Sequence, residues 1–157
     1  MSLALEKIKL VKGIDPVADA FAGTADSDVV TLENFQKALF LIYKGVGATG
    51  TADITVMAAS DNSKTGAEAV AFKYTSITSG ETSSSVTAAT SSGFTTTAGS
   101  SQLYAVEVQS VDLPDGKPYV FLRSTEDTND PVLGGVLIQL TGGRHAGDPA
   151  NFPAVTA

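Results

Sequence analysis

His145 is the one histidine in the 157-residue chain, and it stands in the run Gly-Gly-Arg-His-Ala-Gly. A Ser/His/Asp triad is formally possible because serine and aspartate are plentiful. However, no serine occurs in the Gly-x-Ser-x-Gly context of a nucleophile elbow. The glycine- and proline-rich segment around His145 is also a poor base for a preorganised site. We therefore predict that the protein is not an enzyme and uses no cofactor, and that His145 is solvent-exposed or contacts another chain.

Two loops contain residue types that can bind ions. The run Glu126-Asp-Thr-Asn-Asp130 supplies hard oxygen ligands that suit Ca²⁺, but it lacks the spacing of an EF-hand loop. The run Gly45-Val-Gly47 lacks the lysine and the following helix of a phosphate-binding loop. We therefore expect a solvated acidic loop and no metal or nucleotide site.

Four tyrosines offer one further binding chemistry, because aromatic rings can line a sugar-binding face. They are Tyr43, Tyr74, Tyr104 and Tyr119. Each stands in a β-type run beside apolar residues, which favours packing in a core or on a sheet. A carbohydrate-binding or adhesin-type β-sandwich module stays open as the alternative function.

The charge balance argues against two classes of partner. The net charge is −7 and the isoelectric point is about 4.5, whereas nucleic-acid binding needs a basic surface. No apolar run approaches the roughly 20 residues of a membrane-spanning helix. The N-terminal region also lacks the unbroken apolar stretch of a signal peptide. We expect no nucleic acid and no membrane as partner, and synthesis in the cytoplasm. The chain has no cysteine, so its stability cannot depend on disulfides.

The low charge content has a consequence for the surface. Hydrophobic residues make up 43% of the chain and charged residues only 17%, so serine, threonine, glycine and alanine must cover much of the surface. Such a surface suits packing against other proteins. It is equally typical of a weakly charged β-surface, and composition does not decide between the two.

Short β-type runs separated by turn residues dominate the chain after residue 26. They include a hairpin over Lys37–Ser60, in which Ile54, Val56 and Ala58 share one face, and the alternating run Gln102–Gln109. We count about eight strands and no convincing helix. This pattern predicts an all-β fold, an antiparallel β-sandwich of the jelly-roll type, with an immunoglobulin-like sandwich as the second choice.

Residues 1–26 are predicted to form an extended N-terminal arm, ahead of a sandwich over 27–141 and an irregular tail over 142–157. The arm is too apolar for a solvated tail, so it must lie either on its own domain or on a neighbouring chain. Its lysines could meet an acidic partner surface. The candidate contact residues are Leu3, Leu5, Lys7, Ile8, Lys9, Leu10, Lys12, Ile14 and Phe21.

Three runs carry a resemblance to a known family. The sequences of Leu41–Val56, Gly93–Ser100 and Asp115–Leu122 resemble small structural proteins of tailed bacteriophages, of the head decoration or capsid cement type. The resemblance covers most of the chain after Val29. It implies a jelly roll that assembles as a homotrimer on the major capsid protein, and thus a virion protein on the capsid exterior. It brings no catalytic motif with it.

Overall fold

The computed structural model describes residues 3–46 and 48–144. Over these residues the chain forms twelve β-strands and two short 3₁₀ turns, Ala4–Glu6 and Ser110–Asp112, and no α-helix. Consequently, no helix in this part of the chain is long and apolar enough to cross a membrane. The strands are β1 Ile8–Val17, β2 Thr24–Asp26, β3 Val30–Thr31, β4 Phe35–Lys44, β5 Thr51–Ala59, β6 Glu68–Val70, β7 Phe72–Ile77, β8 Thr87–Ala89, β9 Phe94–Thr95, β10 Gln102–Gln109, β11 Tyr119–Thr128 and β12 Gly134–Gly143.

The strands form two antiparallel sheets that pack face to face. Sheet A has the order β1-β12-β4-β10-β7-β8, and sheet B has the order β2-β11-β5-β6, with β3 beside β11 and β9 beside β5. The pairs are nested: β1 with β12, β2 with β11, β4 with β10, and β5 with β6. Four nested antiparallel pairs rolled into two sheets make a jelly roll. The predicted fold is confirmed, and the immunoglobulin-like alternative is excluded by this strand order.

The strand count exceeds the predicted eight because short strands were overlooked. The continuous β-type run Ala69–Thr75, for example, is two strands: the chain crosses between the sheets at Ala71, so that β6 lies in sheet B and β7 in sheet A. Val70 and Phe72, on either side of the crossing, both enter the core.

The core fills the space between the sheets, and strand alternation selects its members. In β5 the inward residues are Ile54, Val56 and Ala58, as predicted. In β10 the buried residues alternate with outward residues that are half-buried. Antiparallel strands with one face on a core show this period of two.

The segment predicted as an arm supplies two strands of the sandwich. Residues of β1 pair antiparallel with β12 from Ile8 opposite Thr141 to Val17 opposite Gly134. β2 pairs with β11. Phe21, in the segment that joins β1 to β2, is 1% exposed in the core. The predicted boundary at residue 26 therefore lies inside the sandwich. At the other end β12 continues past residue 141 to Gly143, and residues 145–157 of the predicted tail lie outside the described residues.

Candidate interaction surface

The outward side of sheet A carries apolar side chains where a solvated sheet face is normally polar. Leu41, Tyr43, Leu103, Leu137 and Ile77 come from four strands and lie in neighbouring rows of the sheet, because Leu103 pairs with both Tyr43 and Ile77, and Leu41 pairs with Leu137. We call these five residues the apolar face. Leu137 is 59% exposed and Tyr43 is 60% exposed. Leu41, Leu103 and Ile77 are half-buried.

The apolar face forms the floor of an open groove of about 810 Å³. Its rim carries Lys12, Asp15, Glu81 and Ser101, and Leu133 adds an apolar wall. A volume of this size lies within the range of ligand-binding clefts, about 300–1,000 Å³. The polar groups are few and peripheral, so the groove suits apolar side chains better than a charged ligand.

Two glycine positions shape the groove. Gly135 lies on the outward side opposite Tyr43, and a Cβ atom there would come within 2.9 Å of the Ile14 carbonyl oxygen. This matches the close backbone approach expected at a glycine within a strand. The register between β1 and β12 shifts at Gly13 and again between Ile14 and Val17, as at β-bulges. Asp15 and Pro16, in the second shift, line the groove.

The N-terminal turn, Leu3–Lys7, lies beyond the other end of β1. The Leu3 amide donates to the Glu6 carboxylate at 2.8 Å, and the Lys7 amide donates to the Ala4 carbonyl at 3.0 Å. These bonds close the 3₁₀ turn. Leu3 and Leu5 are nevertheless 63% and 65% exposed. The turn is thus a fixed apolar projection rather than part of the core.

The structure divides the predicted contact residues into three groups. Exposed are Leu3, Leu5, Lys7, Leu10 and Lys12; half-buried are Ile8, Lys9 and Ile14; and Phe21 is buried. The contact role predicted for Phe21 must be dropped, because its ring is needed between the sheets. Ile14 also packs against the core, so its inward side is unavailable to a partner.

The outward side of sheet B, by contrast, is covered by the chain itself. Phe121 is fully buried there beneath Lys64, whose Nζ lies 4.6 Å from the ring centroid, and beside the Arg123 guanidinium. Asp26 joins these cations: it accepts from Arg123 Nε at 2.7 Å and from Lys64 Nζ at 2.8 Å. Burial works against ionisation of Asp26, but the hydrogen bonds and charges of Arg123 and Lys64 outweigh it and lower its pKa. No sequence signal pointed to this cluster, because its members are far apart in the chain.

Lys44 is a further charged residue that sequence reasoning missed. It lies at the end of β4, is fully buried, and donates from Nζ to the carbonyl oxygens of Thr97 at 2.7 Å and Gly50 at 3.0 Å. Burial lowers the pKa of this amine. The two bonds fasten the glycine-rich turn after β4 to the segment after β9, so Lys44 has a structural role.

The run Glu126–Asp130, predicted as a solvated loop, is only partly a loop, because its first three residues form the end of β11. Glu126 accepts from the Gly23 amide at 3.0 Å, and Asp127 accepts from the Thr51 hydroxyl at 2.9 Å. Over residues 3–46 and 48–144, no three His, Cys, Asp or Glu side chains gather as metal ligands would. His145 lies outside the described residues.

Three of the four tyrosines pack against other side chains. Tyr74 stacks on Phe94 with ring centroids 3.9 Å apart, Tyr104 is buried, and Tyr119 packs on the sheet B cluster. Only Tyr43, among the four, presents its ring to a groove. The four rings therefore do not form a common sugar-binding face.

Comparison with known proteins adds little. No family model matches the chain, and no curated protein is similar to it. The solved structure of the SPBc2 prophage-derived protein YomS aligns with 90% of this chain and 99% of its own, at 12% sequence identity and a TM-score of 0.46. At that distance the likeness carries no functional conclusion.

Proposed function

We propose that this protein is a structural virion protein, a decoration or cement protein that binds the outside of a phage head and stabilises the shell. Its partners are the major capsid protein and further copies of itself, in a homotrimer. The observation that carries the proposal is the uncovered apolar face of sheet A, since exposed apolar patches mark protein–protein contact sites. The sequence resemblance supplies the biological setting, and the jelly roll agrees with the fold that the resemblance implies.

The β1 side of sheet A has the charge to recognise a capsid surface. Lys7 and Lys12 are exposed there, in a chain whose net charge is −7. Such local positive charge would be attracted to an acidic surface of the shell, and the attraction would weaken with salt over a Debye length of about 10 Å at 0.1 M. The exposed Leu10 lies between the two lysines and adds apolar area to the contact.

Electron microscopy of phage heads tests the proposal. Purified protein is added to heads that lack it, and the reconstructed density is compared with that of untreated heads. We expect ordered density on the outside of the shell and a higher temperature of head disruption. Heads that take up no protein at micromolar concentration would refute the decoration role.

A charge-reversal pair shows whether the β1 lysines make the contact. The double variant Lys7→Glu, Lys12→Glu should lower head occupancy most strongly at low salt. The matched control is Lys73→Glu, which reverses an exposed lysine on β7 at the opposite side of sheet A. The control reverses one lysine and the double variant two. A loss of binding free energy in the double variant no greater than twice that of the control would therefore show a general charge effect and no specific role for β1.

The exposed ring of Tyr43 favours one second candidate, a glycan-binding module. Here a sugar ring would stack on Tyr43, and Asp15, Glu81 and Ser101 at the rim would bind its hydroxyls. A glycan array followed by calorimetry on Tyr43→Ala tests this function. Binding of a glycan that the variant abolishes would support it over the decoration role.

A further inference from the structure

The turn before β11 contains the only Asp-Gly pair of the chain, Asp115-Gly116. The Lys117 amide donates to the Pro114 carbonyl at 3.1 Å, which closes a β-turn around the pair. Asp115 and Gly116 are both exposed, and a Cβ atom at Gly116 would meet nothing within 4 Å. No side chain therefore stands between the Gly116 nitrogen and the carboxyl group that precedes it.

The Asp115 carboxylate is also free to move. Within residues 3–46 and 48–144 no group bonds to it, and the Gly116 amide donates to no group there. Other aspartates differ: Asp26 is held by two cations, and Asp61 accepts from two backbone amides. Asp15 and Asp130 precede prolines, whose nitrogen carries no hydrogen. Asp115 thus combines an unanchored carboxyl group with an unengaged amide that follows it.

We propose that Asp115-Gly116 is a site of spontaneous backbone modification, at which the aspartate converts to isoaspartate. The Gly116 nitrogen attacks the Asp115 carboxyl carbon, a C–N bond forms, and the carboxyl hydroxyl leaves with the amide proton as water. The product is a five-membered succinimide ring. A water molecule then adds to one of the two ring carbonyls and breaks its bond to nitrogen. Opening at the main-chain carbonyl leaves the chain running through the side-chain carbonyl, which is isoaspartate.

The turn permits the rotation that ring closure requires. The peptide plane between the two residues must turn to bring the nitrogen to the carboxyl carbon. This rotation moves φ of Gly116 away from +75°, and glycine populates both signs of φ readily. Because the reacting groups belong to adjacent residues, the attack is intramolecular and gains from their proximity.

Isoaspartate adds one carbon atom to the backbone inside the turn, so the bond from the Lys117 amide to the Pro114 carbonyl closes a larger ring. The contacts that follow tie the turn to the sandwich. Lys117 Nζ lies 2.8 Å from the Glu68 carboxylate, and the Pro118 carbonyl accepts from the Leu32 amide at 2.8 Å. We expect the modification to disturb both contacts. It is independent of the proposed capsid role.

Peptide mapping of the aged full-length chain tests the proposal. Samples kept for several weeks at neutral pH are digested, and isoaspartate is located by electron-transfer fragmentation and quantified by enzymatic methylation. We expect isoaspartate at position 115 to increase with time and to exceed the amount at every other aspartate several-fold. Its precursor, the succinimide, should appear as a species lighter by one water molecule.

The matched variant Asp115→Glu keeps the charge and the turn but can close only a larger ring, so the signal should disappear. Equal unfolding midpoints of wild type and variant show that both are folded. A peptide of residues 113–118 controls for the conditions, and the incubation continues until this peptide has reacted. Isoaspartate in the peptide but not in the folded chain would overturn the proposal, as would an equal signal in Asp115→Glu.

Discussion

Asp26 links two strands and a loop through its carboxylate, which accepts from both Arg123 and Lys64. We predict that Asp26→Asn lowers the free energy of unfolding at pH 7 by about 1–2 kcal/mol, since hydrogen bonds to charged groups are worth about 1.5–3 kcal/mol and the cations are partly solvated. The pKa of Asp26 is lower in the folded state than in the unfolded state. Its contribution is therefore complete above the unfolded pKa of about 3.9 and is lost as pH falls through the folded pKa.

Urea denaturation of wild type and variant from pH 7 to pH 2.5 checks this prediction. The difference between the two proteins should shrink as the solution becomes more acidic. Asp115→Asn, in the exposed turn before β11, is the control and should change little at any pH. A difference that stays constant down to pH 2.5 would argue against the ionic role of Asp26.

Gly93 and Gly116 differ in what would strain an alanine placed there. Both have φ near +75°, but a Cβ at Gly93 would overlap the Ile54 carbonyl oxygen, whereas a Cβ at Gly116 meets nothing within 4 Å. We predict that Gly116→Ala lowers the free energy of unfolding by about 1–2 kcal/mol, because alanine is strained in the left-handed backbone conformation. Gly93→Ala should cost at least about 2 kcal/mol more, because the backbone of β5 must shift. Thermal and chemical unfolding of both variants measure the gap, and equal losses would contradict the overlap.

Among the elements, β1 shows that most of the N-terminal segment lies on its own domain and not on a neighbouring chain. β1 pairs with β12 along its length, and Phe21 after it fills the core. We predict that the free energy of unfolding of a chain beginning at Thr24 is several kcal/mol lower than that of the full chain. A Phe→Ala change in a core alone lowers it by about 3–5 kcal/mol. That is a large share of the 5–15 kcal/mol that stabilises a typical domain.

A shorter truncation provides the contrast. A chain beginning at Lys7 lacks only the exposed projection and should unfold at the wild-type midpoint. Circular dichroism melts of the two truncations and the full chain test both statements. A stable fold without residues 1–23 would show that β1 is dispensable for the sandwich.

Prediction from sequence succeeded where a strand shows its period locally and failed on strand pairing. The hairpin predicted over Lys37–Ser60 is wrong, because its two runs are β4 in sheet A and β5 in sheet B. The alternation in Gln102–Gln109 and the inward set Ile54, Val56 and Ala58 are readable because side chains on a strand alternate. The crossing at Ala71 is not readable, because the residues on both sides of it point into the same core and the period continues. β1 was interpreted as an arm because its partner, β12, lies more than 115 residues further along the chain.

The candidate surface was predictable only in part. The exposed leucines and lysines of the N-terminal segment were identified by composition. The groove was not, because it assembles from strands at opposite ends of the sequence and depends on the missing side chain of Gly135. Asp26 and Arg123 meet for the same reason, through the pairing of β2 with β11.

For the whole molecule, we predict that no metal ion contributes to stability. Glu126 and Asp127 at the end of β11 each accept a hydrogen bond, from the Gly23 amide and the Thr51 hydroxyl, so one oxygen of each carboxylate is engaged without a cation. Thermal unfolding in EDTA and in millimolar Ca²⁺ should give the same midpoint. A bound ion at 100 times its Kd would add about 2.7 kcal/mol, which corresponds to a rise of several degrees. Such a rise would contradict the prediction.

The pairing of β1 with β12 constrains how the protein is made. While the ribosome is still synthesising the chain, β1 has no partner, and it stays unpaired until β12 has emerged. At about 5–20 residues per second this interval is on the order of 10 s. The sandwich therefore closes only after β12 has left the ribosome, as expected of a topology rich in long-range contacts, which folds slowly. Until then the apolar residues of β1 are exposed to other nascent chains and to chaperones.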